Sequence, residues 1–256
     1  MSTRSKHVAV ATEQLAATAK HHAATAERVA VAAEQTVAGG PAATPLAESR
    51  AGRETAIRAY RALLALAVLG AIAYELARGL GREGISDADY FSYFTELSNL
   101  FAAAIFLYGA VHGTAARSRT VEMLRGASVV YMLTTGIVYA LLLSGHAVPY
   151  PWVNDVLHRA MPIAVALDWV IDPPRMRLEP RRTILWLSFP LVYVAYTLIR
   201  GAIVNWYPYF FVDPRRGGGY LLVAGDCLVI ALGIVALIAA TTWVGNWSRE
   251  QARPSL

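Results

Sequence analysis

A threonine and a histidine, Thr95 in YFSYFTELSNL and His158 in WVNDVLHRAMP, lie in two separate apolar, helix-length stretches of this chain. The charge pattern sets each of them about two turns of helix in from the same membrane face. A threonine hydroxyl is a poor nucleophile until a base takes its proton, and a neutral imidazole within hydrogen-bond reach is the commonest base at neutral pH. Asp155 or Asn154, one turn before the histidine, would fix its tautomer. Asn99, Tyr139 and Arg200 are oxyanion donors by side-chain type. Ionisable groups inside a membrane span are costly and by default mark a functional site. This set suits ester hydrolysis.

Spacing supports a common site. Ser92, Thr95, Glu96 and Asn99 follow i, i+3, i+4, i+7 and share one helix face, as do Asn154, Asp155, His158 and Arg159. From the apolar boundaries, Thr95 lies about 7–8 Å and His158 about 9 Å along their helices, so the two can meet. Glu75, Tyr139, Arg200, Asn205 and Asp226 collect at the same end, which predicts a polar cavity with apolar walls that would admit an acyl chain. Two pairs, Glu75 with Arg78 and Asp155 with Arg159, also have the spacing of structural ion pairs. Asp168 reads as anchored to water or to the arginine-rich loop after it, and Trp152, Trp206, Tyr207, Tyr209, Phe210 and Phe211 as an interfacial belt. No cofactor or metal is expected. Cys227 is the one cysteine, and His21-His22 reads as a solvated pair without a carboxylate cluster. Only His158 among the histidines is placed for an intramembrane role, which argues against a bis-histidine haem.

The elements that must position these residues are membrane helices. The chain is 56% hydrophobic with mean hydropathy +0.40, and its apolar residues fall in six long runs, over residues 60–76, 90–111, 126–144, 152–171, 183–204 and 219–245. Each approaches the about 20 residues needed to cross about 30 Å of hydrocarbon; the first is short and can begin earlier. Ser86 to Asp89 reads as a capping box before the second run, and Asp172-Pro-Pro-Arg175 ends the fourth. Lys6 and Lys20 are the only lysines, so arginine sets the orientation. One set of flanks holds 13 arginines and the opposite set 4, namely Arg78, Arg82, Arg215 and Arg216. The positive-inside rule then predicts an all-α, polytopic bundle of six transmembrane helices with both termini cytoplasmic, in the plasma membrane. The pI of about 9.4 follows from this topology and from contact with anionic lipid, with no nucleic-acid partner.

Residues 1–49 are different material, rich in Ala, Thr, Glu and Gln, without the apolar core of a signal peptide. Val8, Leu15, His22, Val29 and Thr36 recur every seven residues, but small or polar residues at most seam positions predict a disordered or frayed-helical cytoplasmic segment ahead of a transmembrane domain over 50–256.

The stretches YFTELSNL, GIVYALLLSG, PWVNDVLHRAMPIAVALDWVIDPPR and LVYVAYTLIRGAIVNWYPYFFVDP resemble the bacterial six-helix membrane proteins labelled the Pr6Pr family. Those are similar in turn to the androgen-induced, FAR-type family of intramembrane threonine hydrolases. The resemblance covers roughly residues 55–246 and leaves the amino-terminal segment unmatched. It implies a threonine nucleophile and a histidine base acting on fatty acid esters of hydroxy fatty acids without metal or cofactor, roles that fall on Thr95 and His158. The chain departs from the pattern at Tyr-Pro-Tyr-Phe-Phe after the fifth span, where relatives often carry a second proline. The reading is a lipid-ester hydrolase; the alternative is a non-enzymatic lipid-binding, sensing or transport protein, in which Glu75, Asp155, Arg200 and Asp226 would matter more than Thr95.

Overall fold

The computed structural model describes residues 20–31, 45–79, 86–114, 117–145 and 148–252, with side chains of the helix that begins at Pro45 described from Ser49. Val8, Leu15 and Thr36 of the seven-residue repeat, and also Arg82 and His146, lie outside the described residues. Contacts divide the chain into two units, Met1–Gly52 and Arg53–Leu256. In the first, residues 20–31 form a helix whose side chains, including Val29 and His22 of the repeat, are exposed. His21 and His22 are exposed as well, and among the described residues no group of three or more metal-ligating side chains exists.

The described structure is helical, with no strand among the described residues. Six long helices are α1 (Pro45–Gly79), α2 (Phe94–His112), α3 (Arg119–Leu143), α4 (residues 151–171), α5 (Pro180–Val204) and α6 (Gly219–Gln251). Five of them, all but α4, are long and apolar enough to cross a membrane, which makes this a multi-pass membrane protein by its helices. Helix α4 has the length but carries Asp155, Arg159 and Asp168. The outside of the bundle is apolar: Leu63 and Leu66 of α1 and Leu228, Val229 and Leu232 of α6 are exposed, while Thr, Ser, Arg and Asp side chains are buried. Apolar-out, polar-in packing is stable where the solvent is lipid.

The boundaries differ from the sequence reading in one place that matters. The capping box forms, with Ser86 Oγ accepting from Asp89 N at 3.1 Å and the Asp89 carboxylate accepting from Ser86 N at 3.3 Å, but it caps a single turn, Asp87–Tyr90. The chain then turns before α2 starts at Phe94. Thr95 is therefore in the first turn of its helix, not two turns in. At the Asp172-Pro-Pro-Arg175 stop signal, α4 ends at Ile171 as Asp172 leaves the helical region (φ −124°, ψ 75°) before Pro173.

Helix α3 packs against α2, α4 and α6, and the main core includes Val130 and Met132 of α3 with Leu157, Val165 and Trp169 of α4. At one end the helices are tied by buried charge. Arg61 of α1 grips Asp168 of α4 through two parallel bonds of 2.7 and 2.9 Å and reaches Asp172 at 2.7 Å. Arg125 of α3 meets the same Asp168 at 2.9 Å and Glu122 at 3.0 Å, and Arg117 holds both Asp172 oxygens at 2.7 and 2.9 Å. Three guanidinium groups thus face three carboxylates. This corrects the anchoring of Asp168: its partners are Arg61 and Arg125, distant in sequence, and not the loop that follows it. Burial opposes ionisation of Asp172, yet Arg125, Arg117 and Arg61 hold its carboxyl below the usual carboxylate range.

Candidate active site

At the opposite end of α4 from Asp168 the helix widens. Over Val156–Ala160 it makes a π-type turn, closed by Met161 N–H bonding the Val156 carbonyl five residues back. Pro162 explains why: it has no N–H to offer the His158 carbonyl four residues earlier. A second π-type turn, Tyr139–Leu143, ends α3 alongside, with Ser144 N donating to Tyr139 O at 2.7 Å. The helices approach closely there. A Cβ added to Gly136 would lie 3.0 Å from the Pro162 Cβ and 3.4 Å from the His158 carbonyl, so a side chain at this position would crowd the turn that carries the histidine.

Tyr139 and His158 from these turns, with Asn154 from the turn before, line one cavity of about 480 Å³, which Thr95 and Glu96 enter from α2. Thr95 Oγ1 lies 3.2 Å from His158 Nε2, and His158 Nδ1 lies 3.2 Å from the Asn154 carbonyl oxygen. A carbonyl only accepts, so in the neutral imidazole Nδ1 carries the proton and donates it, leaving Nε2 to accept from the threonine hydroxyl. The group that sets the tautomer is therefore the backbone of Asn154, not its side chain and not Asp155. The Asn154 amide instead donates to the Tyr139 hydroxyl at 2.7 Å, and the Tyr139 ring packs on the imidazole with centroids 4.4 Å apart.

The remaining predicted residues divide. Glu96 is buried and lines the cavity, as does Glu75, which accepts from the Tyr90 hydroxyl at 3.0 Å. Asn99 is fully buried beneath the site: both its amide hydrogens are spent, on the Thr95 carbonyl at 2.9 Å and the Leu157 carbonyl at 3.1 Å, so it ties α2 to α4 and has none left for an oxyanion. Asp155 and Arg159 point outward and pair with each other, about half exposed. Arg200 donates to Asp89 at 2.6 Å and sits over the Trp206 ring, away from the cavity. Asp226 pairs with Arg216 at 2.6 Å, Asn205 caps α5 with a left-handed backbone, and Ser92 bonds the Tyr196 hydroxyl at 2.9 Å. Helical spacing placed Ser92 with Thr95 and Asp155 with His158; the break before Phe94 separates the first pair and the π-type turn of α4 lies between the second.

Sequence reasoning missed Tyr209. Assigned to the belt, it is buried at 9% exposure, as is Phe211 at 7%, whereas Trp152 and Phe210 are exposed. The segment after α5 folds inward, and the Tyr209 hydroxyl accepts from the backbone N–H groups of Phe94 and Thr95 at 3.0 and 3.4 Å, 3.5 Å from Thr95 Oγ1. With its oxygen accepting these bonds and Thr95 Oγ1 donating to His158, the Tyr209 proton faces Thr95 Oγ1 over a long 3.5 Å contact, where a ligand oxygen beside Thr95 could take it instead. Thr95 and Tyr209 also border a second, apolar pocket of about 120 Å³ between α3, α5 and α6, walled by Val138, Leu143, Pro190, Val194 and Ile230 among others. The threonine hydroxyl thus stands between a polar chamber and an apolar slot.

Comparison with family models, curated proteins and solved structures finds no match for this chain.

Proposed function

We propose that this protein is a plasma-membrane hydrolase of lipid-like esters, with Thr95 as nucleophile and His158 as its general base, and that its resemblance to the Pr6Pr and FAR-type proteins is one of family. The observation that carries the reading is the chain Thr95 hydroxyl, His158 imidazole, Asn154 carbonyl, with 3.2 Å at each link. In this scheme Thr95 Oγ attacks the ester carbonyl as its proton passes to His158 Nε2. The resulting oxyanion takes hydrogen bonds from Tyr209 and Tyr139, and the collapse returns the proton to the leaving alcohol. Water then attacks the acyl-threonine with His158 again as base, releasing the acid. The apolar slot beside Thr95 suits the acyl chain, and no step calls for a metal or cofactor.

The purified protein is expected to cleave a fluorogenic medium-chain ester. No cleavage of any ester across a broad lipid panel would leave the cavity to the ligand-binding alternative. Tyr209→Phe keeps the ring and removes one donor, so kcat should fall by about ten- to a hundredfold with little change in KM. An unchanged kcat would take Tyr209 out of the oxyanion role.

The same reading makes α4 a spanning helix too, six in all, and puts both termini in the cytoplasm. Its support is the arginine asymmetry, although Arg61, Arg117 and Arg125 of the basic set are neutralised inside the bundle. Reporter fusions after Gly217 should report the extracytoplasmic side, and fusions after Arg119 and Arg177 the cytoplasm. A cytoplasmic signal at Gly217 would contradict the assigned orientation.

A further inference from the structure

The polar chamber carries a charge pattern that ester hydrolysis does not use. Two carboxylates, Glu75 and Glu96, line it together with Tyr90, Tyr93, Tyr139 and Tyr150, and among the described residues its lining contains no lysine or arginine. Glu96 is 93% buried, and its Oε2 has no hydrogen-bond partner among the described residues. A carboxylate oxygen withdrawn from water with nothing to bind is costly, and such a group is retained where a ligand completes it. Carboxylates together with aromatic rings are the surroundings that organic ammonium groups select, through charge and through cation–π attraction. The set is ill suited to a metal ion, since no three metal-ligating side chains converge among the described residues. The chamber is also far larger than one ion requires.

We propose that the chamber binds the ammonium headgroup of a cationic amphiphile, with Glu96 as the principal counter-charge and Glu75 as the second. This rests on the hydrolase reading for the ester bond and departs from the hydroxy fatty acid esters that the resemblance implies, whose carboxylate would meet Glu75 and Glu96: a substrate with its acyl carbon at Thr95 would place its chain in the apolar slot and an ammonium-bearing portion in the chamber. Glu96 follows Thr95 directly, so recognition of the headgroup and attack on the ester would come from the same turn of α2.

The test is binding, read without turnover. The full-length protein in a neutral maltoside detergent is titrated with hexyltrimethylammonium, hexanoate and hexanol, following saturation-transfer NMR and the thermal midpoint. The wild type should bind the ammonium compound at least about tenfold more tightly than the other two. Glu96→Gln and, independently, Glu75→Gln should each erase much of that preference, so a variant that fails to fold leaves the other to decide. Thr95→Ala should keep the preference for the ammonium compound over the other two probes, whatever its absolute affinity, which separates this proposal from the fate of the hydrolase reading. Equal binding of the three probes by the wild type, or a preference for hexanoate, would overturn the proposal. A preference for hexanol would do the same, assigning Glu96 a neutral hydrogen-bonding role. Retention of full preference in both glutamine variants would also overturn it.

Discussion

Thr95→Ala and His158→Ala should each lower ester turnover by at least about a hundredfold, and the double variant should be little worse than either single one. In the proposed mechanism the two side chains act as one unit. Without the hydroxyl there is nothing for the imidazole to activate, and without the imidazole the hydroxyl keeps its proton, so the losses do not add. The fold should survive both changes. A lost hydrogen bond within a membrane bundle costs about 0.6–2 kcal/mol, and α2 and α4 remain tied by Asn99 through the Thr95 and Leu157 carbonyls. His158→Gln is a useful companion, since it retains polarity but not basicity and should be as inactive as the alanine variant. Activity is measured as kcat/KM beside a thermal melt of each variant. Additive losses would mean that the two residues act separately.

The largest expected effect on stability lies at the other end of α4. Asp168→Ala removes the carboxylate that faces Arg61 and Arg125, both almost wholly buried, and leaves two guanidinium groups short of a partner. Breaking a buried ion pair from one side costs about 3–5 kcal/mol, so the variant should melt far below the wild type or fail to accumulate. Asp155→Ala is the control: its pair with Arg159 is about half exposed on both sides, and the change should be worth well under 1 kcal/mol. The network also gives the stability a pH dependence. The folded Asp172 carboxyl titrates below its unfolded range because Arg125, Arg117 and Arg61 outweigh the effect of burial. Its contribution is therefore fully present above the unfolded carboxyl's titration range, above about pH 5, and is lost as pH falls through that range and on through the lower folded value. Thermal midpoints should be flat from neutral pH down to about 5 and drop below it, with Asp172→Asn flattening the drop.

Much of this was legible because membrane helices announce themselves by length and hydropathy, and five of the six apolar runs match helices able to span. The pair Thr95 and His158 was visible as polar residues in apolar surroundings. What could not be read was geometry that departs from the regular helix. An unbroken α2 would set Ser92, Thr95, Glu96 and Asn99 side by side, but the turn at residues 91–93 detaches Ser92 from the helix face. A regular α4 would present Asp155 with His158, but the widened turn before Pro162 leaves Asp155 outside with Arg159. Tyr209 looked like one more interfacial aromatic because composition does not reveal that the segment after α5 folds inward. The partners of Asp168 were hidden for a different reason. Arg61 and Arg125 are 107 and 43 residues away, and local spacing carries no trace of pairing at that range.

The most direct test of a threonine nucleophile is covalent capture. The purified protein is treated with an alkyl fluorophosphonate, digested and mapped by mass spectrometry. A phosphonyl adduct on Thr95, absent from Thr95→Ala and strongly slowed in His158→Ala, is the predicted result. An adduct on any other residue that persists in Thr95→Ala, or no adduct on a protein that hydrolyses esters, would contradict the account.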